Sequence, residues 1–129
     1  MELNEYQEKA MHTCMDTCDN FSYMMLNLVG EVGEFAGKVA KRLRQEKITF
    51  LPSGSYFNNG YSYPEDADVP AAIRAEHEEL KKEAGDILWQ LSGLCKVLGW
   101  SLEDVAQQNL DKLASRQQRG VIDGSGDNR

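Results

Sequence analysis

The sequence predicts an all-α fold, and three observations carry that prediction. Apolar residues recur at spacings of three and four over most of the chain, the period of a helix with one buried face. All 3 prolines fall between residues 52 and 70, so the rest of the chain lacks the residue that interrupts helices most strongly. The stretches on either side of that segment each suit two helices, and 129 residues suffice for one domain with a core of its own.

A first helix is expected from about Asn4 to Thr17 and a second from about Phe21 to Lys47. On the second, Met25, Leu28, Val32, Phe35 and Val39 step by three and four and predict a face buried against other helices. The segment "FLPSGSYFNNGYSYPEDADVP" is rich in Gly, Asn, Ser and Tyr and reads as a long loop with room for a short hairpin. A third helix is expected from about Pro70 to Leu98, with Leu80, Ala84, Ile87, Leu91, Leu94 and Leu98 as its apolar side. Pro70 suits the first helical turn, and Gly99 suits a left-handed close. Ser101 with Asp104 reads as a capping box opening the fourth helix, whose apolar side is Leu102, Val105, Ala106, Leu110 and Leu113 and which Gly120 should end. The reading is one domain over 1–129, with a loop insertion at about 48–69 and a flexible tail at about 120–129.

Composition narrows the function. A formal net charge of -7 argues against a nucleic acid polymer as partner, because non-specific binding to phosphate backbones needs clustered Lys and Arg. The 3 cysteines form no CxxC pair, which points to reduced thiols and a cytoplasmic protein. The opening "MELNEYQEKA" is charged, and no apolar run approaches the roughly 18–20 residues that span a bilayer, so neither secretion nor a membrane partner is expected.

The chemistry concentrates in acidic residues. The stretch "LVGEVGEFAGKVAK" sets Glu31 and Glu34 three apart in an apolar helix, followed by Lys38 and Lys41 on the same polar stripe. The third helix carries Glu76, Glu79, Glu83, Asp86 and Gln90 in similar spacing, so two helices packed as a hairpin would bring the stripes together. Glu76 and Glu79, within "RAEHEELKKE", read as a solvated face. Glu31 and Glu34 instead lack a lysine in the preceding turn, and like charges at that spacing repel, so they need a counter-charge. Glu83 and Asp86 precede the apolar "ILWQLSGL". Four such carboxylates make a hard oxygen cage suited to Mg²⁺, with Mn²⁺ able to replace it. A di-iron carboxylate site would need Glu-x-x-His on two helices, which is absent, and His12 and His77 read as ordinary residues. Gly30, Gly33 and Gly37 lower helix propensity beside the acidic positions and suggest close packing or ligand approach. On the fourth helix Asn109, Lys112, Arg116 and Arg119 form a polar line. With Lys38 it suits a phosphate chain, and equally a solvated face with cations favoured near a helix end. Tyr6, Tyr23 and Trp89 suit core packing more than base stacking, and Trp100 is assigned to packing.

Three stretches together resemble the MazG-like all-α nucleoside triphosphate pyrophosphohydrolases: "GEVGE" at 30–34, "KKEAGDILWQL" at 81–91, and "GWSLEDVAQQNLDKLASRQQRGVIDGSGDNR" at the end. The resemblance spans nearly the whole chain. It implies Glu31, Glu34, Glu83 and Asp86 as magnesium ligands and catalytic carboxylates, Lys38 as a phosphate contact, and Asn109, Lys112 and Arg116 near the nucleotide. It also implies a helical bundle completed as a homodimer or homotetramer. The implied reaction converts a nucleoside triphosphate to monophosphate and pyrophosphate, in nucleotide-pool housekeeping. Between Glu34 and Glu83 stand 48 residues, longer than the family's usual interval, and the surplus is the Pro, Gly and Tyr loop. Two other functions suit the same residues: a non-catalytic helical interaction module, and a hydrolase of a related pyrophosphate such as a phosphoribosyl nucleotide.

Overall fold

The computed structural model describes residues 1–45, 48–51, 54–57 and 71–126. Helices α1 (Leu3–Met11) and α2 (Phe21–Arg44) precede strands β1 (Ile48–Leu51) and β2 (Gly54–Phe57), and helices α3 (Ala71–Val97) and α4 (Leu102–Gln118) follow. The helical reading holds, and the segment expected to be a loop carries an antiparallel hairpin with Ile48 opposite Phe57 and Leu51 opposite Gly54. Pro70 and the remainder of the insertion lie outside the described residues, as do the last residues of the tail. The chain divides into two compact units, one of Met1–Phe21 with Ser92–Arg129 and the other of Ser22–Leu91.

In the first unit the helix ends are made by identifiable chemistry. Helix α1 stops short of the expected Thr17 because Thr13 turns back on Ala10, its hydroxyl and amide donating to the same carbonyl at 2.7 and 3.1 Å. Gly99, at φ 74°, closes α3 with Gly99 N donating to Lys96 O at 2.9 Å and Trp100 N to Cys95 O at 2.8 Å. Those two bonds are the Schellman pattern, and a left-handed residue is what allows it. Gly120 repeats it after α4, with Val121 N donating to Arg116 O at 3.0 Å. At the start of α4 three backbone amides that no helical carbonyl can reach are taken by side chains. Asp104 N donates to Ser101 Oγ, Glu103 N to Asn4 Oδ1 and Leu102 N to Gln7 Oε1, at 3.2, 3.1 and 3.0 Å. Two of the three acceptors come from α1, so α1 serves as part of the cap of α4. Gln7 also donates to the carbonyls of Ser92 and Trp100. Trp100 itself is 54% exposed, contrary to the packing role expected for it, because it sits in the turn between two helices and outside the buried face of either.

In the second unit α2 and α3 run antiparallel, with pairs rising along one helix as they fall along the other: Lys38 with Glu83, Arg42 with Glu79 and Glu76. The positions buried here are mainly polar: Arg42, Glu83 and Gln90 accompany Met24. The expected apolar face of α2 is only partly covered. Leu28, Phe35 and Val39 are half-buried, whereas Met25 and Val32 remain 41% and 48% exposed. On α3, Leu80 and Ile87 are half-buried, Ala84 is exposed and Leu91 lies near the surface. Two helices form one layer, which buries one side of each and leaves other apolar positions facing outward.

Candidate metal and phosphate site

Helical rotation decides which residues of α2 face α3. At about 100° per residue, Asn27, Lys38 and Arg42 lie within about 40° of Glu31, whereas Glu34 and Lys41 turn about 60° and 80° aside. The polar stripe expected through Glu31, Glu34, Lys38 and Lys41 is therefore two lines. One of them, carrying Glu31, Lys38 and Arg42, forms a ladder with Asp86, Glu83, Glu79 and Glu76.

At its centre Glu31, Glu83 and Asp86 each offer a carboxylate oxygen, all within 4.8 Å of one another. Of the four carboxylates expected to ligate, the structure brings these three together. Glu34 is exposed and stands outside the trio, although its charge still acts on Glu31 and Lys38. Asn27 Nδ2 donates to Glu31 Oε1 at 3.2 Å and orients that carboxylate. Lys38 Nζ donates to Glu83 Oε1. The other oxygen of Glu83 is buried with no hydrogen-bond partner among the described residues. One turn beyond Asp86, Gln90 is buried with its Oε1 likewise unsatisfied.

Burial pushes the Glu31 carboxyl above its ordinary range, helped by the charges of Glu34, Asp86 and Glu83 and opposed by the Asn27 hydrogen bond. The hydrogen bond to Glu83 pushes the Lys38 ammonium up, supported by the charges of Glu83, Glu79 and Glu34. Three carboxylates against one ammonium leave two negative charges uncompensated, the charge of one divalent cation. The donor set fits such an ion. It is all oxygen and all anionic, and oxygens around one Mg²⁺ stand roughly 3–4 Å apart at bonds of about 2.1 Å, which small side-chain rotations reach from this spacing. The buried Glu83 oxygen, unsatisfied among the described residues, supplies a free ligand atom.

The raised Glu31 has a consequence for stability. The folded state holds that proton more tightly than the unfolded chain, so its contribution is full below the ordinary glutamate pKa and is lost as pH rises through the folded value. Metal-free Glu31→Gln is therefore expected to melt above wild type at pH 7, with the difference shrinking as pH falls toward the ordinary glutamate range. Thermal unfolding of both proteins across that range in a chelator tests it.

Beyond the trio lies an ion pair that sequence reasoning did not single out. Arg42 is 5% exposed; it donates through Nε to Glu76 and through Nη2 to Glu79 at 2.9 Å, while its Nη1 reaches the Lys38 carbonyl at 3.1 Å. This corrects the reading of Glu76 as a solvated face, its side chain being 22% exposed, whereas Glu79, although tied across the hairpin, remains 61% exposed. The available signal was position, since Arg42 lies one turn beyond Lys38 and in line with Glu31, where Lys41 does not. Asn27, one turn before Glu31, was legible in the same way. Gly33 and Gly37 do not mark close packing among the described residues, because a Cβ at either would meet nothing within 4 Å there.

The expected nucleotide residues on α4 belong to the first unit. Asn109 and Lys112 are exposed. Arg116 is buried, 5% exposed, and its Nη2 donates to the Gly126 carbonyl at 3.3 Å. Arg119 is exposed, its Nε bonded to Ser115 Oγ at 3.2 Å.

With this geometry in hand, comparison with known proteins gives two matches. A family model described as the MazG nucleotide pyrophosphohydrolase domain matches residues 19–121. The chain is also 36% identical over 137 aligned residues to the Gene 37 protein of Mycobacterium phage L5, the alignment covering 100% of each chain. No solved structure matches.

Proposed function

We propose that this chain, which belongs to the MazG nucleotide pyrophosphohydrolase family, is a Mg²⁺-dependent enzyme that cleaves nucleoside triphosphates to monophosphate and pyrophosphate. The observation that carries the reading is the convergence of Glu31, Glu83 and Asp86 within 4.8 Å. Those three residues would hold the cation. Bound there, it would lower the pKa of water and neutralise charge on the phosphate oxygens. Water oxygen bonds to the α-phosphorus as the bond from that phosphorus to the bridging oxygen breaks, and pyrophosphate leaves with the bonding pair. Glu34, the exposed carboxylate left over from the trio, takes the proton from water. Lys38 neutralises the phosphate chain, and Asn109, Lys112 and Arg116 contact the nucleotide, Arg116 after releasing Gly126.

The test incubates the protein with a panel of ribo- and deoxyribonucleoside triphosphates and a phosphoribosyl nucleotide, with Mg²⁺ or with a chelator, and resolves the products. Equimolar monophosphate and pyrophosphate, lost on chelation, is the expected result. Diphosphate with free phosphate would overturn the reaction, and no turnover together with no bound metal would favour an interaction module.

The working form in this reading is a homodimer or homotetramer. Leu26 and Val29 are 75% and 62% exposed, and with Met25 and Val32 they form an outward apolar surface on α2, larger than isolated surface residues need. Val29→Glu is expected to lower the mass measured by light scattering to that of one chain, and a wild type already at that mass would end this part of the reading. All three cysteines are free thiols, which suits a reducing compartment, and no described helix is long and apolar enough to cross a membrane. The role is nucleotide-pool housekeeping in the cytoplasm.

A further inference from the structure

We infer that Lys38 is the resident counter-ion of the carboxylate trio, that a divalent cation displaces it, and that the released ammonium then engages the phosphate chain. Metal and polyphosphate would in that case bind with positive coupling. The inference rests on the metal reading above and adds to it an exchange of partners.

Three features of the geometry carry it. First, the ammonium and the incoming cation compete for one carboxylate, since Lys38 donates to Glu83 and Glu83 belongs to the trio. Second, the two partners of this ion pair differ in freedom. The side chain of Glu83 is 9% exposed and that of Lys38 is 41% exposed, so Glu83 stays and Lys38 leaves at little cost in lost solvation. The Lys38 backbone is meanwhile held, because Arg42 donates to its carbonyl. Glu83 also keeps one oxygen buried and unsatisfied, so the ammonium compensates it only in part.

Third, the ammonium has somewhere to go. A cleft of about 270 Å³ opens beside it, lined by Lys38, Lys41, Arg42, Gln45, Glu76 and Glu79. Glu76 and Glu79 are tied to Arg42 there, which leaves Lys41, exposed at the edge, and the released Lys38 facing an anion. A phosphate chain that follows the cation into this region meets the ammonium the cation has just freed.

The experiment measures Mn²⁺ affinity by calorimetry for wild type and Lys38→Met, and inorganic pyrophosphate affinity with and without Mn²⁺. Lys38→Met is expected to bind Mn²⁺ about 5- to 10-fold more tightly, because no resident cation has to be displaced, and the strengthening of pyrophosphate binding by Mn²⁺ should fall about fivefold. Lys38→Arg, which keeps the charge, should stay near wild type for Mn²⁺. In parallel, the Lys38 side-chain NMR signals of wild type are followed during Mg²⁺ titration and should leave their ion-paired position. This measurement decides the matter if Lys38→Met does not fold. Unchanged or weaker Mn²⁺ binding by folded Lys38→Met, or Lys38 signals that stay in place at saturating Mg²⁺, would overturn the exchange alone. A wild type that binds no divalent cation would overturn the exchange and the metal reading together.

Discussion

Glu34→Gln is expected to lose about 10²–10⁴ in kcat while keeping the fold and most of the affinity for divalent cations. The side chain is exposed and lies outside the three carboxylates that converge. Replacing it with an isosteric amide therefore disturbs no buried contact, and it removes only the capacity to accept a proton. Asp86→Asn is the contrast, because Asp86 is one of the trio and its loss should lower metal affinity and turnover together. Monophosphate production at saturating Mg²⁺, measured beside Mn²⁺ binding, separates the two roles. Full activity in Glu34→Gln would sink its assignment, and a parallel drop in Mn²⁺ affinity would make Glu34 a fourth ligand instead of the base.

Arg42→Met should be the most damaging single change to stability among the polar residues of the hairpin. The guanidinium is buried and bridges Glu76 and Glu79 across α2 and α3. Removing one partner of a buried pair leaves the opposite charge without its compensation, which costs about 3–5 kcal/mol when both partners are buried. Here the Glu79 side chain is 61% exposed and the Glu76 side chain 22% exposed. Water can therefore relieve part of the loss, and about 2–3 kcal/mol is the expected value. Urea unfolding reads it as a lower midpoint at unchanged slope. Arg42→Lys should recover part of the stability, because it restores the charge without the two-pronged donor geometry. A midpoint equal to wild type in Arg42→Met would mean that the pair contributes nothing to the hairpin.

Much of the local structure was legible because its causes are local. The end of α3 at Gly99 and the start of α4 at Ser101 follow from residues that make only one backbone conformation or one side-chain bond favourable at those positions. The end of α1 was not, since nothing in "MHTCMDTCDN" ranks Thr13 above Thr17 as the residue that turns the chain back. Among the site residues, the carboxylates were legible from their apolar surroundings. Arg42 was missed because a cation three residues beyond Lys38 and one four residues beyond look equally plausible until the rotation about the helix is followed from Glu31. Trp100 was misread for a related reason: its size argues for burial, yet its place between two helix ends keeps it at the surface.

The sequence by itself determined that this chain is helical, where its later helices begin and end, which carboxylates lie beside apolar residues, and the family to which those motifs belong. Only the tertiary structure decided that Glu31, Glu83 and Asp86 meet while Glu34 stands aside, that Lys38 neutralises Glu83, and that α1 caps α4. It also decided that Met25 and Val32, apolar by pattern, remain 41% and 48% exposed within one chain. The physical reason is that periodicity orders side chains around the axis of their own helix. Which groups on a second helix come within reach depends on the rotation and register of the pair, and those are set by packing that no single stretch of sequence contains.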